Sequence, residues 1–501
     1  MEPARALLLV LDGAGLDNPK PGNAVTACTM PTWFACMSRH GFALLEASGK
    51  PVGLDEGQVG NSEVGHMTIG AGFVIPSTLS RIQAAYRDGS WAELALWRRL
   101  VPNRKLHIVG LLSDAGVHGH IDSLTQAAML AWHHGIADIV VHPVLDGVDS
   151  QAGSAPALLD QLRRALQEIK GARLGVIMGR RWFADRSGKL GITRSYTHAL
   201  TGGLDLPLYH DEALRCHLIA ESETSFIAHA GSEDCYIGRD ESVLLTQHRA
   251  DRAIQVARVL TTTNPVYSLV DLGDSVPGER VFFPTRPLTQ GLGFEFKQHK
   301  LNSVRISETC KFPHVTYFLN GLNRDLEGTE ICVNSIAETE FAAHPEMSIA
   351  EVRRNIVQAL RDPGNKVVLA NIPNLDQLGH LGRYDTAVKA AEHVDEVLKD
   401  ILAVCQEVGW TTIVTSDHGN ADRTIDETGR PFGSHTERPV PLTVIPAPGA
   451  SFAWRAKTGS LANVAPTLLA ALGLPQPAYM TESLIESVPV AREQTVTRGA
   501  A

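Results

Sequence analysis

Ala6-Leu7-Leu8-Leu9-Val10-Leu11-Asp12-Gly13 sets six consecutive apolar residues against an abrupt polar stop. A run this short, closed by a carboxylate and a glycine, predicts a strand covered on both faces, the kind a parallel sheet requires. Similar runs stand at 106–112, 139–145, 174–178, 366–371, 411–415 and 440–445. Amphipathic stretches at 122–133, 155–169 and 384–404 lie among them. Short apolar runs alternating with helical patterns predict α/β architecture, a mainly parallel sheet flanked by helices. Ligands of such sheets gather beyond the carboxyl ends of the strands. Asp12, Asp149, Gly179, Asp376 and Asp417 each follow an apolar run within a few residues.

A chain of 501 residues is too long for one core, so two domains are expected. The ends, 1–76 and 286–486, hold Ser62 and the Asp/His pairs, while 77–285 has a strand–helix series of its own. Pro76 marks one seam, Pro284 and Pro287 the other, which predicts a second α/β domain inserted into the first through two hinge strands. The small, polar residues 487–501 predict a disordered tail. A hydrophobic content of 44% with 20% charged residues describes a globular protein. The net charge of -10, with no compensating basic stretch, argues against a nucleic-acid partner. Seven cysteines, odd in number and without a Cys-x-x-Cys pair, suit reduced thiols, several of them buried. The first apolar run is too short for a signal-peptide core, and no run approaches a membrane span. A cytoplasmic protein is expected.

The chemistry-bearing residues cluster in a few motifs. Gly60-Asn61-Ser62-Glu63-Val64-Gly65-His66 places one small hydroxyl between glycines, where it can stand clear of its backbone and approach phosphorus or a metal. Gly-Asn-Ser is also ordinary loop chemistry. Asp417-His418-Gly419-Asn420 follows its strand directly, and Asp376 and His380, four apart, share one face of a helical turn. His435 lies in Gly433-Ser434-His435-Thr436, and Asp12 closes the first strand. Each alone reads equally as a cap, a turn residue or a packed imidazole. Together, carboxylates and imidazoles without thiolate suit two divalent ions, Mn²⁺ first, with Zn²⁺ or Mg²⁺ as alternatives. Glu63 and His66 are expected to be structural, a cap and a packed ring, and Asn420 either a ligand-side or a structural residue.

These motifs resemble cofactor-independent phosphoglycerate mutase, in the alkaline phosphatase superfamily, from about Leu7 to Ile485. The middle segment adds Val117-His118-Gly119-His120, Asp146-Gly147 with Asp149, Arg180 to Arg186 and Arg249-Ala250-Asp251-Arg252 in that family's order, and Lys311 stands before Pro313-His314-Val315-Thr316. The resemblance implies one ion held by Asp376, His380 and His435, and another by Asp12, Ser62, Asp417 and His418. It implies a phosphoserine at Ser62, with Lys311 neutralising phosphoryl oxygens. His118, Asp149, Arg180, Arg186, Arg249 and Arg252 would bind a small phosphoglycerate-like substrate. A monomer is implied as well.

The substrate side departs from the family pattern. Val148 stands where the family carries a substrate-facing arginine, Ser113-Asp114-Ala115-Gly116 replaces a Ser-Pro-Gly-Gly turn, and Leu245-Thr246-Gln247-His248 replaces an aromatic approach to Arg249. Leu375 replaces a glycine and Cys310 an acid. Losing a charged fork from a partly buried site costs about 2 to 5 kcal/mol. Four readings follow: a mutase with a drifted pocket, a sister transferase moving another phosphorus-containing (phosphonate-type) group, a metal-dependent phosphatase, and a binding module without activity.

Overall fold

The computed structural model describes residues 4–100, 104–183, 190–250, 253–324, 326 and 328–488. The chain forms two compact units, Met1–Ser77 with Arg286–Ala501, and Thr78–Thr285.

The first unit is built on a sheet with the order Thr329–Val333, Ser303–Glu308, Val367–Ile372, Ala6–Leu11, Thr411–Thr415, Val440–Ile445, Ala43–Glu46, Thr458–Ser460. The first five strands run parallel to one another, and Val440–Ile445 runs antiparallel to both its neighbours. The period-2 alternation of a strand explains the opening apolar run. Leu7, Leu9 and Leu11 enter one core, with Val352 and Val394 from helices Ile349–Arg361 and Tyr384–Val408. Ala6, Leu8 and Val10 enter the opposite core, with Ile69 and Val464 from Ser62–Ala71 and Val464–Ala471. Both faces are dry, so a solid apolar run was required. Ser487 and Val488, expected in the tail, instead continue a strand pairing: Ile485–Ser487 lies against Phe452–Trp454, and Val488 N donates to Ser451 O at 2.9 Å. The rest of the expected tail, 489–501, lies outside the described residues.

The second unit has the order Val281–Phe283, Val266–Val270, Ser242–Leu245, Lys105–Leu112, Asp138–Leu145, Val176–Gly179, His229–Ala230. All pairs along it are parallel except the last. The strand expected over 174–178 is two strands, Ala172–Leu174 and Val176–Gly179. The break falls at Gly175, where a Cβ would lie 2.5 Å from His142 Nδ1. Val176 N donates to that Nδ1 at 2.9 Å, so His142 carries its hydrogen on Nε2 and gives it to His107 Nδ1, also at 2.9 Å. His107 Nε2 then donates to Glu241 Oε2 at 2.7 Å. Two fully buried imidazoles are thereby satisfied as neutral rings.

Among the described residues, no helix is long and apolar enough to cross a membrane, and all seven cysteines are free, Cys235 and Cys405 being buried.

Candidate metal centre and substrate loops

Four adjacent parallel strands of the first unit end at one edge. Lys311, Asp376, Asp12 and Asp417 follow Ser303–Glu308, Val367–Ile372, Ala6–Leu11 and Thr411–Thr415 in that spatial order. His435 precedes Val440–Ile445, which is antiparallel to Thr411–Thr415 and therefore starts at the same edge. Register, not nearness in sequence, collects these groups.

Ser62 reaches them from the first position of helix Ser62–Ala71. Asn61 caps that helix, its Oδ1 accepting from Val64 N at 3.0 Å. Asn61 thus has the role expected of Glu63, which is exposed in the first turn. Gly65 lets the helix approach, since a Cβ there would lie 2.6 Å from Asp417 O. Ser62 Oγ is consequently 2.9 Å from His418 Nε2 and 3.3 Å from Asp12 Oδ1, and it accepts from Lys311 Nζ.

Two donor sets overlap at this point: Asp12, Asp417 and His418, and Asp376, His418 and His435, each with ligand atoms within 4.8 Å of one another. His380 Nε2 joins the second, 3.3 Å from Asp376 Oδ1 and 3.2 Å from His435 Nε2. His380 Nδ1 donates to Gly433 O at 2.7 Å and His435 Nδ1 to Gly60 O at 2.8 Å. Carbonyls only accept, so both Nδ1 atoms carry hydrogen and both Nε2 atoms offer lone pairs. Two lone pairs facing each other beside a carboxylate repel unless a cation lies among them. The donor set therefore fits a divalent ion, with backbone carbonyls fixing the imidazole tautomers.

The electrostatics make the same demand for positive charge. Burial favours neutral carboxyls, and Asp417 and Asp376 repel Asp12, yet Lys311 and His418 hold Asp12 below its ordinary range. Burial likewise works against the ionised form of Asp376, and the Lys311 ammonium is the largest influence holding it well below the ordinary carboxylate range. Lys311 Nζ lies 2.9 Å from Asp12 Oδ1 and 2.7 Å from Asp376 Oδ2. Burial alone would lower its pKa, but the surrounding carboxylates raise it. His418 is pulled down by burial and lifted further by Asp417, Asp12 and Asp376, to about 9.

Three polar residues that sequence reasoning left unassigned or structural hold the carboxylates. Asn371 Nδ2 donates to Asp12 Oδ2 at 2.7 Å, Asn420 Nδ2 to Asp376 Oδ1 at 3.2 Å, and His66 Nδ1 stands 3.2 Å from Asp417 Oδ2. A signal for Asn371 did exist: it is the one polar residue in the buried strand Val367–Ile372.

In the second unit, Ser242–Leu245, Lys105–Leu112, Asp138–Leu145 and Val176–Gly179 are consecutive parallel strands, so the segments after them leave one edge. Those segments carry Arg249, His118, Asp149 and Arg180. Arg180 Nη1 donates to Asp149 Oδ2 at 2.6 Å and also to Asp146 Oδ1, and Asp146 accepts from Ser150 N at 3.1 Å. His118 is buried, and its turn is held by His248, whose N donates to His118 O at 2.9 Å and whose Nδ1 donates to Gly116 O at 3.3 Å. Ser123 Oγ donates to His248 Nε2 at 2.7 Å, and burial pushes that imidazole down to about 4, keeping it neutral. The divergent 245–248 stretch thus supports the His118 turn. Arg249 is exposed, while Arg186 and Arg252 lie outside the described residues. Val148 is 64% exposed, so the partly buried fork assumed in the 2 to 5 kcal/mol cost does not apply there and the cost is smaller.

Comparison with known proteins agrees with this geometry. Residues 4–476 match the metalloenzyme superfamily. The 2,3-bisphosphoglycerate-independent phosphoglycerate mutase of Hahella chejuensis is 34% identical over 95% of this chain and 98% of its own length. That of Pseudomonas aeruginosa strain UCBPP-PA14 is 33% identical over 96% and 98%. The structure is similar to that of Leishmania mexicana phosphoglycerate mutase at low cobalt concentration, with a TM-score of 0.71 and 28% identity over 97% of this chain and 98% of that one. The chain belongs to the 2,3-bisphosphoglycerate-independent phosphoglycerate mutase family, within the metalloenzyme superfamily.

Proposed function

We propose that this chain interconverts 3-phosphoglycerate and 2-phosphoglycerate as a two-metal phosphotransferase, through phosphoserine at Ser62. The observation that carries the reading is the position of Ser62 Oγ, 2.9 Å from His418 Nε2, 3.3 Å from Asp12 and in contact with Lys311. Asp12, Ser62, Asp417 and His418 would hold one ion, and Asp376, His380 and His435 the other. Bound there, two divalent ions, Mn²⁺ first, would lower the pKa of the serine hydroxyl and neutralise phosphoryl charge.

Ser62 Oγ gives up its proton and bonds to phosphorus. The bond from phosphorus to the C3 oxygen breaks, and that oxygen takes up a proton. The C2 hydroxyl then loses its proton and attacks the same phosphorus, and the serine oxygen leaves. Lys311, kept cationic by three carboxylates, stabilises charge on the phosphoryl oxygens in both halves. His118 and Asp149 move protons at the two hydroxyls, and Arg180, Arg186, Arg249 and Arg252 hold the glycerate so that water does not intercept phosphoserine. The first unit would thus be the metal-binding domain and the second the substrate domain of a cytoplasmic, monomeric glycolytic enzyme.

Relatives that share nearly the whole chain favour the mutase over the sister transferase, the phosphatase and the binding module. Phosphorus NMR of the Mn²⁺-loaded protein with 3-phosphoglycerate tests this. Growth of the 2-phosphoglycerate signal is expected; free phosphate alone, or an unchanged spectrum, refutes the mutase reading. Val148→Arg is expected to change kcat/KM less than tenfold, because the position is exposed.

A further inference from the structure

Asn371 is fully buried in Val367–Ile372, in register with Val10 of the strand that ends at Asp12. Asp12 Oδ2, 2.7 Å away, is an acceptor, so the NH2 side of the Asn371 amide must face it. The same Nδ2 is 3.2 Å from His66 Nε2, which must therefore offer a lone pair. The His66 hydrogen then sits on Nδ1 and goes to Ser62 O at 2.9 Å, with Asp417 Oδ2 3.2 Å from the same nitrogen. The other side of the amide faces Ser307 Oγ, 3.4 Å from Oδ1 and 3.1 Å from the Asn371 carbonyl. Every atom of this chain has one consistent donor or acceptor role, and the chain runs from the Asp12 carboxylate to the backbone of Ser62.

We infer that Asn371 is a positioning residue that sets the direction of Asp12 and, through His66, the place of Ser62 for the ion that Asp12, Ser62, Asp417 and His418 share. The inference rests on the two-metal reading above. Two buried carboxylates side by side repel, and Asp12 already gives Oδ1 to Lys311 at 2.9 Å, so the donor on Oδ2 is what fixes the rotation of its carboxylate. A neutral donor on Asp12 Oδ2 leaves Asp12 Oδ1 directed toward Ser62, His418 and Lys311. Outer hydrogen bonds of this kind govern ligand orientation, and losing one costs about 10- to 100-fold in metal affinity.

Calorimetric Mn²⁺ titration of the full chain, with bound ions counted by electron paramagnetic resonance, tests the role in Asn371→Leu. One of two ions is expected to bind about 10- to 100-fold more weakly, the other within about threefold of wild type. Asn371→Ser, smaller and still polar, carries the same expectation if the leucine variant does not fold. Two ions held with wild-type affinity overturn the positioning role alone. Equal weakening of both also overturns it, because a merely loosened fold would act on the whole cluster. A wild-type protein that takes up no Mn²⁺ overturns the two-metal reading, and the inference with it.

Discussion

Ser62 and Arg180 show how much depends on single side chains held by charged neighbours. On the phosphoserine reading, Ser62→Ala removes the attacking oxygen and leaves the carboxylates and imidazoles in place. Turnover should vanish while metal content, read by atomic absorption, stays close to two ions. Arg180 is anchored by two carboxylates, the fully buried Asp146 and the half-buried Asp149. In Asp146→Asn the side chain keeps its shape and loses its charge, so Arg180 swings out of position. Hydrogen bonds to charged groups are worth about 1.5 to 3 kcal/mol. Steady-state kinetics should therefore show KM for 3-phosphoglycerate raised on the order of tenfold or more, with a smaller change in kcat.

At the level of elements, helix Ser62–Ala71 matters because of how closely it can pack. Gly65 touches the Asp417 backbone, and a Cβ at Gly70 would lie 1.8 Å from Leu319 O. Gly65→Ala should destabilise the protein by about 1 to 3 kcal/mol through overpacking and lower activity further by moving Ser62. Gly278→Ala, with nothing within 4 Å, should change the melting temperature little. The same close contacts explain what sequence could and could not disclose. Ala6–Leu11 was legible because it is apolar throughout, as a strand dry on both faces can be, and Thr411–Thr415 because all five of its residues are β-branched. Ser303–Glu308 was not: Ser303, Arg305, Ser307 and Glu308 are buried yet polar, and they read as surface. Asp12, Asp376 and Asp417 stood out because each ends a run. His66 did not, and Asn371 showed only as the polar residue of an apolar run, since the meaning of both depends on which distant segment lies beside them. The break at Gly175 was hidden likewise, because it answers to the ring of His142.

For the molecule as a whole, stability should depend on pH through the second unit. Burial, then Lys105 and Arg173, lowers His107 to about 3, and His142 falls well below its ordinary value as well. Both rings are neutral when folded, whereas the unfolded chain protonates them near 6.5. Their contribution is complete above about 6.5 and declines as pH falls from there toward 3, by up to about 1.4 kcal/mol per pH unit for each ring. Acid titration of tryptophan fluorescence should show this slope, and His142→Gln should make it shallower. A chelator should act on the other unit. Removing ions held at 100 times their Kd withdraws about 2.7 kcal/mol, so, with both proposed ion sites in the first unit, EDTA should lower the melting of that unit while sparing the second.

The sheet order of the first unit has a consequence during synthesis. Ala6–Leu11 leaves the ribosome well before its partners Val367–Ile372 and Thr411–Thr415, which are translated more than 350 residues later. At about 5 to 20 residues per second, this oily segment waits roughly 20 to 70 s for neighbours. Thr78–Thr285, contiguous and with a core of its own, can finish folding meanwhile. The nascent Ala6–Leu11 segment is therefore a natural client for a chaperone, and the cluster of Asp12, Asp376, Asp417 and His435 can assemble only after the last of these strands is made.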